Sequence, residues 1–278
     1  MIRKATSRLR RWADLLVTSQ QMIRQHGVER WVEAVWDIIK KKTSSKRRYK
    51  FFSILKHFKH LVKYRAPTDP YKLLWIDASR VTHYVDEPPV GEGLGMVAGE
   101  DWDRSENVEP IENHWIVRGI RQRFEQGKEW ENTDYYSYPA QKFEEGKSSM
   151  ANCRSIGEWR EKRCAYVDRL YADIRDNGYR SETKHGDRNE SYPGKNSAGL
   201  EVTVSIGREG SILLSHGGFH RLAIARVLDI EIPVNVRCRH EQWQLTRDEV
   251  HDAIASGADP DTVEHAEHPD MRDVITGS

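Results

Sequence analysis

Cysteine is scarce in this 278-residue chain, which carries only Cys153, Cys164 and Cys238. The number is odd and no two form a CxxC pair. Neither a disulfide framework nor a zinc ribbon is expected, and a reducing cytosol suits the chain best. Long apolar runs are missing too: no stretch approaches the roughly eighteen apolar residues of a membrane span. The N-terminus is basic, but its longest apolar run is Leu15-Leu16-Val17. That is too short for the core of a secretory signal, so the expected location is cytoplasmic. Net charge is nearly absent, with 44 Lys and Arg against 43 Asp and Glu. Nine Trp and eleven Tyr nevertheless argue against wholesale disorder, which goes with few aromatics. The length suits one or two domains.

The charge balance conceals an uneven layout. Residues 1–65 hold 18 Lys/Arg and 4 Asp/Glu, a net of +14, and the remainder carries −13. Such asymmetry hints at a polyanion or membrane partner for the basic part. It predicts a basic helical segment over residues 1–66, ending near Pro67 and Pro70. Leu9, Trp12, Leu15, Leu16, Met22 and Ile23 recur at helical spacing. Val28, Trp31, Val32, Val35, Trp36 and Ile39 form a second stripe, and Phe51, Phe52, Leu55, Phe58, Leu61 and Val62 a third. The charge run Lys40–Arg48 reads as a turn or frayed helix end. Either the stripes pack on one another or on the next domain, or residues 1–65 dock on something anionic. A nucleic acid would release counterions to Lys and Arg; a membrane surface would take basic helices with Trp and Phe in its headgroup plane. No base-reading motif is visible. Apolar helices also make a homodimer an expectation.

The middle of the chain is polar. Lys72–Asp77 reads as a strand, followed by a turn or single helical turn at Ala78–Val81. Pro88-Pro89 with Gly91, Gly93, Gly95 and Gly99 makes residues 86–99 a loop. Asp101 and Asp103 then flank Trp102. They read either as a solvated loop anchored by one aromatic or as a carboxylate pair for a metal or for base catalysis. Residues 112–126 suit a helix closed by Gly127. Ser155 and Glu158 have capping-box spacing and open a helix that runs to about Asn177. Residues 181–199 read as a polar loop able to act as a lid.

Residues 200–240 carry most of the information. Leu200–Ile206 alternates and is rich in β-branched residues, so it is a strand. Arg208-Glu209-Gly210 turns into a second strand, Ser211–Leu214. Gly217-Gly218 then breaks that strand and a short apolar helix starts at once, followed by a strand at Val234–Cys238. A helix N-terminus bearing His220 and Arg221 after two glycines is a plausible anion seat, because first-turn N–H groups and the helix dipole favour negative charge. The competing reading is a tight turn whose His and Arg pair with local carboxylates. His216 and His220 are four apart, but the Gly-Gly turn between them argues against a metal site. Thr246 and Glu249 suggest a last helix ending near Gly257, and the rest, with His265 and His268, reads as a solvated polar tail.

The stretch GREGSILLSHGGFHRLAIARVLDIEIPVNVRCRH resembles the nucleotide-binding core of the ParB/sulfiredoxin superfamily. Gly217-Gly218-Phe219-His220-Arg221 is similar to the Gly-Gly-Cys-His-Arg of sulfiredoxin and to the Asp-Gly-His-His-Arg type motif of ParB-like kinases. Ala223, Ala225 and Ile232-Pro233-Val234 match the helix and strand that follow. Trp75–Val81 resembles the opening strand and turn of such domains. The resemblance implies an α+β fold with a small mixed-sheet core over residues 71–240. A large, mostly helical insertion would occupy about 86–199, and 241–278 would form a C-terminal helix and tail. It implies that Gly217, Gly218, His220 and Arg221 hold the phosphates of ATP, ADP or CTP, with Mg as a further expectation. Phe219 replaces the sulfiredoxin cysteine, so reduction through that thiol is not expected. Gly217 replaces the Asp of the kinase-type motif. The function this implies is nucleotide-phosphate binding, with Mg-dependent phosphotransfer or NTP hydrolysis on a small molecule as its catalytic form. Asp101, Asp103, Glu209 and His216 are the candidate catalytic residues, with Asp101 and Asp103 supplying the missing carboxylate if their loop folds over the Gly-Gly turn. The alternatives are a non-catalytic nucleotide-gated module recruited to nucleic acid or membrane, and a DNA-binding, nuclease-like protein. Only about 38 residues follow His240, and no helix-turn-helix is visible among them.

Overall fold

A computed structural model describes residues 45–85, 89, 91, 93–180, 201–215 and 217–277. The stripes expected at residues 9–39, the loop at 181–199 and His216 lie outside the described residues. The chain divides into two units, Met1–Arg48 and Tyr49–Ser278. The division falls earlier than the expected 66, and the helix α1 (Ser45–Lys63) runs across it. Ser45–Arg48, expected in a turn or frayed end, are helical.

The fold is α+β, with one mixed seven-stranded sheet. Its longest strand is β7 (Glu231–His240), which extends the expected Val234–Cys238 in both directions. One edge of β7 pairs antiparallel with β1 (Leu73–Asp77) and then parallel with β3 (Met96–Ala98). The other edge pairs parallel with β5 (Val202–Ile206). Pro233 is tolerated inside β7 because pairing with β5 begins only at the next residue, Val234. The sheet continues through β6 (Ile212–Ser215), β2 (His83–Val85) and β4 (Val108–Pro110). All five residues of β5 are buried, which explains its β-branched, apolar-rich sequence. β3 and β4 lie inside the stretch read as an insertion, so that stretch contributes to the sheet itself.

Helices cover the sheet. The segment read as one helix at 112–126 is a 3-10 turn, Ile111–Asn113, followed by α2 (Trp115–Phe124). α3 (Asp134–Glu144), which periodicity did not reveal, carries Pro139. At the expected capping box, Ser155 Oγ accepts from the Glu158 N–H at 3.2 Å, while the Glu158 carboxylate accepts from Arg154 N, one residue earlier than the motif prescribes. The helix begins as α4 (Ile156–Glu158), passes through a π-helical turn at Trp159–Cys164 and ends as α5 (Ala165–Asn177), with Gly178 at φ +71°. Trp130, Tyr135 and Trp159 from this region share one apolar cluster with Val204, Leu214 and Val234 of the sheet. The supposed insertion is thus part of the core. All three cysteines are buried and free.

The C-terminal reading needs correction. α7 (Glu241–Ala255) springs directly from β7, capped by His240, whose Nδ1 accepts from Gln242 N at 3.1 Å. Thr246 sits inside the helix and donates to the Gln242 carbonyl. The expected solvated tail is buried at His268 and Asp270, before α8 (Arg272–Thr276). His268 meets the Gly210 carbonyl at 2.9 Å, and burial lowers its pKa to about 4. Asp270 accepts from Arg239 Nε at 2.8 Å and from Trp243 Nε1 at 2.9 Å, and Arg247 stands 3.4 Å away. Burial alone would raise this carboxyl, but Arg239 and Arg247 hold it far below its ordinary 3.8. A depressed folded-state pKa contributes stability above the unfolded value and loses it as pH falls through the folded one. Asp270→Asn is therefore expected to lower unfolding free energy by about 3–5 kcal/mol at pH 7. In urea titrations the gap to wild type narrows below pH 4; an equal gap at pH 7 and pH 3 would contradict the assignment.

Candidate functional site

β6 ends at Ser215 and α6 (Phe219–Leu228) begins four residues later. Gly217 and Gly218 join them at φ +119° and +98°, the left-handed region that side chains rarely enter. Space as well as φ requires glycine at 218, since a Cβ there would lie 3.1 Å from Val202 Cα of β5. At Gly217 a Cβ would meet none of the described residues within 4 Å. Gly218 is the N-cap of α6, and among the described residues no side chain caps the helix. The N–H groups of Phe219, His220 and Arg221 therefore have no intrahelical acceptor, and the helix dipole adds partial positive charge at the same place.

The side chains of this turn point into the protein. Phe219 stacks on His114 with ring centroids 3.7 Å apart and planes 14° apart, and Tyr84 meets Phe219 edge-on. His220 shares a hydrogen bond between Nε2 and the Tyr135 hydroxyl at 2.9 Å. Burial, with Arg163, His114 and Arg221 nearby, lowers its pKa to about 3, so His220 is neutral at physiological pH. Arg221 donates to Glu201 and to the Tyr179 hydroxyl, each at 3.1 Å, and Tyr179 itself donates to Glu201 at 3.0 Å. The Glu201 side chain is wholly buried and balances the Arg221 charge. Burial raises the Tyr179 phenol above its ordinary value.

The loop of Asp101 and Asp103 does not fold over the Gly-Gly turn. It packs on the opposite end of β5, five residues or roughly 16 Å along the strand from Val202. There Arg208 donates to Asp103 through Nε at 3.0 Å and to Asp101 at 2.8 Å, and its backbone N–H also reaches Asp103. Burial would raise the Asp103 carboxyl, but these bonds keep it below its usual range. The Arg208 and Arg104 hydrogen bonds likewise hold Asp101 low. His240 joins this end, meeting the Glu100 carbonyl at 2.9 Å. Glu209 is exposed in the same β5–β6 turn. Asp101 and Trp102 help line an acidic hollow of about 490 Å³ with Glu100, Glu106 and Glu109. The described candidate residues thus form two groups at opposite ends of β5. Among the described residues no cluster of His, Cys, Asp and Glu is arranged to hold a metal ion.

Four residues that sequence reasoning passed over complete the turn: His114, Tyr135, Tyr179 and Glu201. Glu201 directly precedes a β-branched strand and Tyr179 directly follows a helix-stopping glycine, but neither position signals a partner 20 or 42 residues away. The fold is α+β, and its β6–α6 connection is a strand–Gly-Gly–helix turn with His220 and Arg221 in the first turn of the helix. No family model, curated protein or solved structure matches the chain. Because Glu201 neutralises a largely buried guanidinium, Glu201→Gln is expected to cost about 3 kcal/mol of stability. Denaturant unfolding of the two proteins checks this, and coincident midpoints would refute the pairing.

Proposed function

We propose that this chain is a ParB/sulfiredoxin-like nucleotide-phosphate-binding protein whose anion seat is the start of α6. The observation that carries the reading is the pair of left-handed glycines leading into an uncapped helix of ten residues. That geometry presents the three first-turn N–H groups, together with the helix dipole, to an anion. The Tyr84–His114–Phe219 aromatic group beside the turn supports a nucleotide over bare phosphate, since a base can extend such a stack. His220 is neutral and Arg221 is already paired, so the backbone amides do most of the holding. ATP, ADP and CTP are the candidate ligands, with Mg carried on their phosphates.

Binding is favoured over phosphotransfer through Asp101 and Asp103, because those carboxylates are engaged by Arg208 at the other end of β5. This favours a nucleotide-gated binding module over an Mg-dependent kinase or NTPase built on those residues.

Thermal unfolding with ATP, ADP, CTP or GTP, each with and without Mg, tests the reading. At a hundredfold excess over Kd a true ligand stabilises the fold by about 2.7 kcal/mol, a rise of several degrees in Tm. Phe219→Glu would place a carboxylate in the first turn of α6, beside the N–H groups, and it should abolish the rise. Asp101→Asn should keep it. No shift with any nucleotide, or an undiminished shift in Phe219→Glu, would overturn the proposal.

A further inference from the structure

We infer that the outward face of α1 lies on an anionic lipid surface. The helix is inverted relative to an ordinary surface helix. Its small and polar residues face the domain: Ser53 is buried, accepting from Leu94 N at 2.8 Å and donating to the Tyr49 carbonyl at 3.0 Å. One turn on, His57 Nδ1 lies 3.2 Å from the Thr68 carbonyl. The apolar residues face away. Phe51, Ile54, Leu55, Phe58, Leu61 and Val62 are spaced by three and four residues, which places them on one face. All six are exposed, Phe58 to 62% and Val62 to 91%. A contiguous apolar surface of this kind on a soluble unit marks an interaction site.

The charge around the stripe identifies the partner. Ser45–Lys63 contains seven Lys and Arg and no Asp or Glu. Lys50 and Lys59 are exposed on the same helix, and Lys63 is exposed but pairs with Glu241 of α7 at 3.1 Å. An apolar stripe within a purely basic helix matches the pattern of helices that lie in the headgroup plane, with Phe and Leu in the acyl boundary and Lys at the anionic lipids. A nucleic acid would satisfy the lysines but leave six apolar side chains in water. A second copy would bring two basic helices together. Among the described residues no helix is long and apolar enough to cross a membrane, so α1 rests on the surface instead of spanning it. The inference stands independently of the nucleotide reading.

The test is flotation of the full chain with vesicles of phosphatidylcholine alone and of phosphatidylcholine containing phosphatidylserine, at low salt. Wild type is expected to float with the anionic vesicles and not with the neutral ones. Residues 1–44 are basic as well, so the deciding variant is Leu55→Glu with Phe58→Glu. Both positions are exposed, and its Tm should stay at the wild-type value while its bound fraction falls about ten-fold or more. Lys50→Gln with Lys59→Gln should weaken binding without touching the stripe. Three results would overturn the inference: no flotation of wild type, equal flotation of the Leu55/Phe58 variant, or a wild-type dimer in sedimentation that this variant dissociates.

Discussion

Removing a guanidinium from water costs several kcal/mol unless a carboxylate goes with it, and this fold repeatedly does so. Arg239 at the end of β7 and Arg247 on α7 are almost wholly buried, and both converge on Asp270. Arg221 on α6 is balanced by Glu201, and Arg208 by Asp103, 105 residues away. Arg226 reaches Glu112 across 114 residues. The Arg239, Arg247, Arg221 and Arg226 pairs each tie a strand or helix to a segment outside it, and the Arg208 pair ties the β5–β6 turn to the Asp101–Asp103 loop.

The same constraint decides what the Gly-Gly turn can offer a ligand. A His and an Arg at a helix start suggest two charged grips on an anion. Here the imidazole is neutral against Tyr135, and the guanidinium is committed to Glu201 and Tyr179. What the turn still presents is backbone: three N–H groups, a dipole and the left-handed glycines that expose them.

The parts legible in the sequence were those with local causes. The β-branched run of β5, the Gly-Gly break before α6, the Ser155 cap and the turn after β1 all depend on neighbours within a few residues. The parts that escaped depend on distant partners. β3 and β4 are three residues each and exist because β7 and β2 stand beside them. The C-terminal segment looks solvated by composition, yet Asp270 is buried because two arginines elsewhere require it. Asp101 and Asp103 read either as a solvated loop or as a carboxylate pair, and only the fold reveals Arg208 between them. Periodicity identified the stripe of α1 but could not say that it faces outward, since that depends on Ser53 finding Leu94.

The central claim is that backbone amides at the start of α6 receive the nucleotide phosphate. Its most direct test is a titration of isotope-labelled protein with ATP, ADP or CTP while backbone amide resonances are followed. The account predicts that the largest shifts fall on the amides of Gly218, Phe219, His220 and Arg221, with smaller ones at His114 and Tyr84. Shifts centred instead on Arg208 and the Asp101–Asp103 loop, or none at saturating nucleotide, would contradict it.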